Sequence, residues 1–228
     1  MTSLFAQVGD AERRTAHESV LLALRRAILS GILPGGTRLV QADLAAQLGV
    51  SNTPVREAMR QLATEGLIQF DSYRGAVVHT PTMEEVREIY EARLLLEPMV
   101  IRKTVERITG SELRQARAIQ EEMTQIRDVG TWVLLNRRFH GTLIGSRSPR
   151  LASIISGLQD AATPQVALSI KANFARLTDG NDEHLQILDA VESRDPDLAA
   201  ETVTAHLRGT VRALESFAES VSWAGAGG

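Results

Sequence analysis

One stretch of β-type residues interrupts a chain otherwise punctuated for helices. Leu67-Ile68-Gln69-Phe70 and Ala76-Val77-Val78-His79 flank Asp71-Ser72-Tyr73-Arg74-Gly75, which reads as strand, tight turn, strand. Elsewhere the signals are those of helix starts. Thr15-Ala16-His17-Glu18, Thr82-Met83-Glu84-Glu85 and Thr109-Gly110-Ser111-Glu112 place a side-chain acceptor three residues before a glutamate, the capping-box spacing. Ser148-Pro149 and Asp195-Pro196 put a cap before a proline at the first helical position. The expected fold class is therefore mainly α, with one small β-hairpin.

Before the hairpin, helices are expected at about 16–30, 41–48 and from the end of Ser51-Asn52-Thr53-Pro54 to about 65, with a turn at 33–37. After Pro81 the spacing predicts helices at about 83–108, 111–128, 131–146, 149–174, 181–194 and 196–221. Pro164 should kink or split the fourth of these, and the tail from Trp223 is read as loose. Two domains follow, 1–80 and 81–228. Charge supports the division: residues 1–80 carry eight arginines and seven acids, and the remainder carries 17 basic residues and 21 acids.

Composition excludes several classes. The 228 residues are 43% hydrophobic and 23% charged, as in ordinary globular proteins. The absence of cysteine removes disulfides, thiolate-ligated metals and a cysteine nucleophile, and fits a reducing cytoplasm. No apolar run is long enough to span a membrane. The first 14 residues mix acids and arginines where a signal peptide needs an apolar centre.

Helix, short helix, three-residue turn, helix and hairpin is the order of a winged helix-turn-helix. Thr53 can cap the third helix with Pro54 at its first position. Arg56 then falls in the first turn, where the helix dipole disfavours a cation. An external phosphate would compensate. Val55, Met59 and Leu62 take the buried face, so Arg56 and Arg60 face outward. A solvated arginine in a small helical domain is the bland alternative.

Residues 25–78 closely resemble the DNA-binding domain of the GntR family of bacterial transcription regulators. The resemblance rests on Ile28-Leu29-Ser30-Gly31-Ile32-Leu33-Pro34-Gly35, Leu44-Ala45-Ala46-Gln47-Leu48-Gly49-Val50-Ser51, Thr53-Pro54-Val55-Arg56-Glu57-Ala58, Leu62-Ala63-Thr64-Glu65-Gly66-Leu67 and the Arg74-Gly75 wing. It implies that Ser51, Asn52, Thr53 and Arg56 lie at the DNA, with Tyr73, Arg74 and Gly75 at the wing tip near the minor groove. Two positions depart from the family pattern. Ala42 and Asn52 stand where arginine is usual, and asparagine prefers adenine where arginine prefers guanine. The operator sequence is therefore not to be borrowed from relatives, since asparagine either reads a different base or contributes less. Paired readers match palindromic half-sites, so a homodimer on an inverted repeat is expected.

Three of the five histidines lie beyond residue 80, each on an expected helix. Asn136 and His140 are four apart and share a face with Trp132, Phe139 and Leu143. His184 shares one with Leu188 and Val191, and His206 with Ala199 and Val203. Buried histidines are commonly hydrogen-bonded core residues. Three of them with an asparagine each need a polar partner, and a divalent metal would satisfy all four.

Residues 83–222 also resemble the all-helical effector domain of the FadR subgroup of GntR regulators, the FCD domain in its shorter six-helix form. The matching pieces are Arg93-Leu94-Leu95-Leu96-Glu97, Asn136-Arg137-Arg138-Phe139-His140, Glu183-His184-Leu185-Gln186-Ile187-Leu188-Asp189-Ala190 and Ala205-His206-Leu207. The resemblance implies that Asn136, His140, His184 and His206 hold a divalent transition metal, zinc or nickel, beneath a small-molecule pocket. Neutral ligands leave the ion its full charge, which a carboxylate effector would offset. Arg93 lies on the inward face and can clamp such a carboxylate, or pair internally with Glu97. The expectation is a ligand-responsive transcription regulator and not an enzyme. The alternatives are a helical metal-dependent hydrolase, which residues 25–78 do not explain, and an interaction module with buried histidines and no metal. Asp182 and Glu183 read as first-turn acids of a helix.

Overall fold

Thr15, Thr82 and Thr109 open helices through completed capping boxes: each hydroxyl accepts a backbone N–H three residues on, and Glu18, Glu85 and Glu112 reach back to the cap. The computed structural model describes residues 15–144 and 148–225, so the N-terminal 14 residues and the last three of the tail lie outside the described residues. These residues form two compact units, divided between Thr80 and Pro81.

The first unit contains α1 (Ala16–Leu29), α2 (Gln41–Leu48), α3 (Asn52–Thr64), β1 (Ile68–Asp71) and β2 (Gly75–Val78). α1 packs on α3. Leu24, Val55, Ala58, Leu62 and Leu67 are fully buried and make its core. Gly49 ends α2 with φ +67°, a left-handed conformation that glycine adopts without steric cost. This leaves Gly49, Val50 and Ser51 as the turn into α3. β1 and β2 pair antiparallel from Ile68 opposite Val78 to Asp71 opposite Gly75. A two-stranded hairpin is marginal alone. Here the segment before α2 supports it: Leu39 N–H donates to Ala76 O at 2.8 Å and Val78 N–H to Thr37 O at 2.9 Å.

α3 starts earlier than the sequence predicts. Ser51, not Thr53, is the N-cap, without a side-chain cap bond, and Pro54 is the third helical residue. The first four N–H groups of a helix have no partner within it, so proline costs nothing there. Arg56 consequently sits one residue past the first turn, which weakens the dipole argument for a phosphate.

The second unit is built from α4 (Met83–Arg107), α5 (Gly110–Gln125), α6 (Val129–Ile144), α7 (Pro149–Ala172), α8 (Ala175–Glu192) and α9 (Pro196–Gly225). α9 continues to Gly225, into the tail read as loose, whose last three residues lie outside the described residues. α4 packs on α9, α5 on α6 and α8, and α6 on α7. One apolar cluster runs through all of them, from Val86 and Ile101 through Met123, Trp132 and Phe139 to Leu188 and Leu207. Two details differ from expectation. Pro164 lies inside α7 without splitting it, and the helix runs to Ala172. α8 begins at Ala175, six residues before the sequence places it, so Glu183 is in mid-helix. The start is hidden because its capping position is Phe174, with no side-chain cap bond. No helix among the described residues is long and apolar enough to cross a membrane.

Candidate metal centre and nucleic-acid interface

Ser51, Asn52, Thr53, Arg56 and Arg60 all lie exposed along α3, opposite buried Val55, Met59 and Leu62. The side chain of Gln41, at the start of α2, donates to the Asn52 carbonyl at 3.0 Å and ties the two helices at the turn. At the wing, Asp71 Oδ1 accepts the backbone N–H groups of Tyr73 at 2.8 Å and Arg74 at 2.7 Å. The Arg74 N–H, and next that of Tyr73, hold the Asp71 carboxyl below its ordinary value. Gly75 closes the turn at φ +75°. Tyr73 is left 97% exposed at the tip, with Arg74 and Gly75 beside it.

In the helical unit, α6, α8 and α9 bring His140, His184 and His206 together. Their candidate ligand nitrogens lie within 4.8 Å of one another, and all three side chains are buried. Ring centroids are 5.1 Å apart for His140 and His184, 5.3 Å for His140 and His206, and 5.0 Å for His184 and His206. Burial first, and then the charges of His184, His206 and Arg93 at His140 and of His206 at His184, hold both rings well below the ordinary histidine range. Both are neutral at physiological pH and keep a lone pair for a cation.

The tautomer of His184 follows from a buried chain of hydrogen bonds. Trp132 Nε1–H donates to Asn181 Oδ1 at 3.0 Å. The Gln120 amide nitrogen donates to the Asn181 carbonyl at 2.9 Å. Gln120 Oε1 is thereby turned toward His184 Nδ1, 3.2 Å away. An oxygen there requires the proton on Nδ1, so Nε2 carries the lone pair. His184 Nε2 is buried with no hydrogen-bond partner, and so is Asn136 Oδ1. Two buried acceptors without donors are costly. A cation held by the three imidazoles would meet the need of His184 Nε2, and Asn136, one turn before His140, lines the same cavity as His140 and His206.

Asn136, His140 and His206 also line a small cavity of about 50 Å³, together with Tyr90, Arg93 and Trp132. Arg93 is 5% exposed. Its Nε donates to Glu97 Oε1 at 2.6 Å, and its guanidinium lies 4.5 Å from the centre of the Tyr90 ring. Burial opposes the Arg93 charge, but Glu97 and Tyr90 outweigh it and hold the guanidinium above its usual value. The internal pair with Glu97 and a place in the cavity wall thus coexist. Arg137, also in the wall, is paired with Asp160 through Nε and Nη2.

Sequence reasoning missed Gln120, Asn181 and Glu183. His206 Nδ1 lies 2.7 Å from Glu183 Oε2, so the acid read as belonging to a first turn is a partner of the third histidine.

Two family models match. Residues 16–78 match the bacterial regulatory proteins of the gntR family, and residues 88–209 match the FCD domain. The chain belongs to the GntR family of regulators with an FCD domain. The gluconate operon transcriptional repressor of Bacillus subtilis is 30% identical over 80% of this chain and 76% of its own length. A probable D-xylose utilization operon transcriptional repressor of Paenarthrobacter nicotinovorans is 30% identical over 79% of this chain and 80% of its own. The solved structure of McbR/YncC from E. coli superposes with a TM-score of 0.81 at 24% identity, covering 89% of this chain and 98% of that one. That likeness speaks for the fold. The family and these relatives are transcription regulators, not enzymes, so the hydrolase alternative falls. GntR regulators bind DNA operators, FCD domains bind small-molecule effectors, and FCD domains often bind metal.

Proposed function

We propose that this GntR regulator is a cytoplasmic homodimer that binds an inverted-repeat operator. A divalent zinc or nickel ion at His140, His184, His206 and Asn136, together with a small carboxylate, sets its response. The observation that carries this reading is the pair of orphaned buried acceptors, His184 Nε2 and Asn136 Oδ1, beside a cavity that includes Arg93. When bound, the ion supplies a Lewis-acidic centre for a carboxylate oxygen.

The chain's own residues do the rest. Gln120 fixes the His184 tautomer. Trp132 and Val133 give the cavity its apolar wall, while Arg93 and Asn136 offer it polar groups. Formal charges narrow the ligand. Arg93 is cancelled by Glu97, and Arg137 by Asp160. A doubly charged ion against Glu183 alone leaves one net positive charge, which a monocarboxylate neutralises. Gluconate, after whose operon one relative is named, is an acid of that charge.

On DNA, Arg56 and Arg60 are placed for phosphates. Ser51, Asn52 and Thr53 are placed for base edges, and Tyr73, Arg74 and Gly75 for the minor groove. A ligand that shifts operator affinity must bind one state of the regulator better than the other.

The test is a DNA-shift assay with metal-loaded and chelator-stripped protein, titrated with monocarboxylates, dicarboxylates and the corresponding amides. Monocarboxylates should shift operator affinity only in the loaded protein, and Arg93→Ala should lose the response with DNA binding intact. Equal effects of acids and amides would overturn the carboxylate reading. A wild-type protein that never takes up zinc or nickel would overturn the metal.

A further inference from the structure

His184 and His206 are held by unlike partners. Behind His184 stands a neutral amide, Gln120, deep in the core. Behind His206 stands a carboxylate, Glu183, whose side chain is 27% exposed. Glu183 reaches from α8 to α9, although its neighbour His184 points into the interior. The only group of histidines and acids at metal-binding separation among the described residues is the three imidazoles, so no carboxylate is in the candidate ligand set.

We propose that Glu183 is a positioning residue that supplies this missing charge through His206, and that Gly209 keeps the space it needs. The proposal rests on the metal reading above. With Nδ1–H of His206 donating to Glu183, Nε2 is the nitrogen left for the ion. A carboxylate on the far nitrogen fixes the ring and raises the basicity of the ligating one. Gln120 fixes its ring equally well but brings no charge, so the two braces differ in electrostatics and not in geometry.

Gly209 lies three residues after His206 on α9. A Cβ at that position would stand 3.0 Å from Glu183 Oε1, tighter than most such contacts. A side chain at 209 therefore shifts the carboxylate by a few tenths of an ångström. A glycine inside a helix is otherwise unfavourable, and this clearance gives it a reason.

Zinc affinity of the full-length protein, measured by competition with a chromophoric chelator, tests the proposal, with the melting temperature of the metal-free protein measured in parallel. Glu183→Ala should weaken zinc by about 10- to 100-fold, the usual cost of losing such a partner. Glu183→Gln should recover part of the loss, because its carbonyl accepts the Nδ1 proton without supplying charge. Gly209→Ala should weaken zinc, and the Glu183→Ala, Gly209→Ala double variant should be no weaker than Glu183→Ala alone. Zinc affinity unchanged in Glu183→Ala, with only the melting temperature lowered, would make the pair structural and overturn the proposal. Zinc affinity in Glu183→Gln equal to that of the wild type would overturn the role of charge. Failure of the wild type to bind zinc would overturn the metal reading itself.

Discussion

In the N-terminal unit, the side chains proposed to work stand in water. Arg56, Arg60 and Tyr73 are exposed on one helix and one turn, around an aliphatic core that takes no part in the chemistry. In the helical unit the order is reversed. His140, His184, His206 and Arg93 are buried within the core, and Trp132 and Phe139 serve both packing and site. A surface reader needs only local geometry, and its partner can repair small errors by repacking. A buried centre needs α4, α5, α6, α8 and α9 to be right at once, because every polar atom left without a partner has no water to turn to.

The contrast predicts that damage in one unit stays there. His184→Ala should produce the largest effect, a fall from one bound zinc or nickel per chain to none by metal analysis. Effector-free operator binding should be preserved; its loss would break the separation. Next come two core truncations. Phe139→Ala should cost about 3–5 kcal/mol, and Leu62→Ala about 2–5 kcal/mol, by urea denaturation. The first should impair metal uptake and spare DNA binding in the protein that remains folded, and the second should do the opposite. Identical phenotypes would mean that the units fail together.

Arg56→Ala should act more mildly, weakening specific and non-specific DNA alike and lowering the salt slope by about one. An unchanged slope would remove Arg56 from the phosphates. The smallest effect is expected at the wing. The Asp71 carboxyl is held below its ordinary value of about 3.9 by the Arg74 and Tyr73 amides. The turn therefore gains its stability above that value and loses it as pH falls through the lowered one. Asp71→Asn should abolish this dependence, read as amide exchange at Tyr73 and Arg74.

Legibility in the sequence follows the same division. Capping boxes at Thr15, Thr82 and Thr109 and the Gly49 stop are contacts within one turn, so spacing reveals them. The inward faces of His140, His184 and His206 are also local, being set by neighbours three and four residues away. The error at α3 arose because Pro54 fits at the first helical position and at the third equally well. Gln120 and His184 are 64 residues apart, and Glu183 and His206 are 23 apart, so no periodicity pairs them. Glu183 is read as a first-turn acid because the preceding helix expected from the sequence runs to residue 174, past Asn173, whose Oδ1 accepts the Ala175 N–H at 3.2 Å.

The stacking of Trp132 on His184, with ring planes 17° apart, has an optical consequence. An indole that shares a wall with the proposed ion and its ligand is a built-in fluorophore for both. Zinc, with a filled d shell, has no low-lying state to accept its excitation, whereas nickel does. Emission from a Trp223→Phe variant, which leaves Trp132 as the sole tryptophan, should survive zinc loading and be quenched by nickel. The same light would then distinguish the two ions in solution and follow the arrival of an acid in real time without a label.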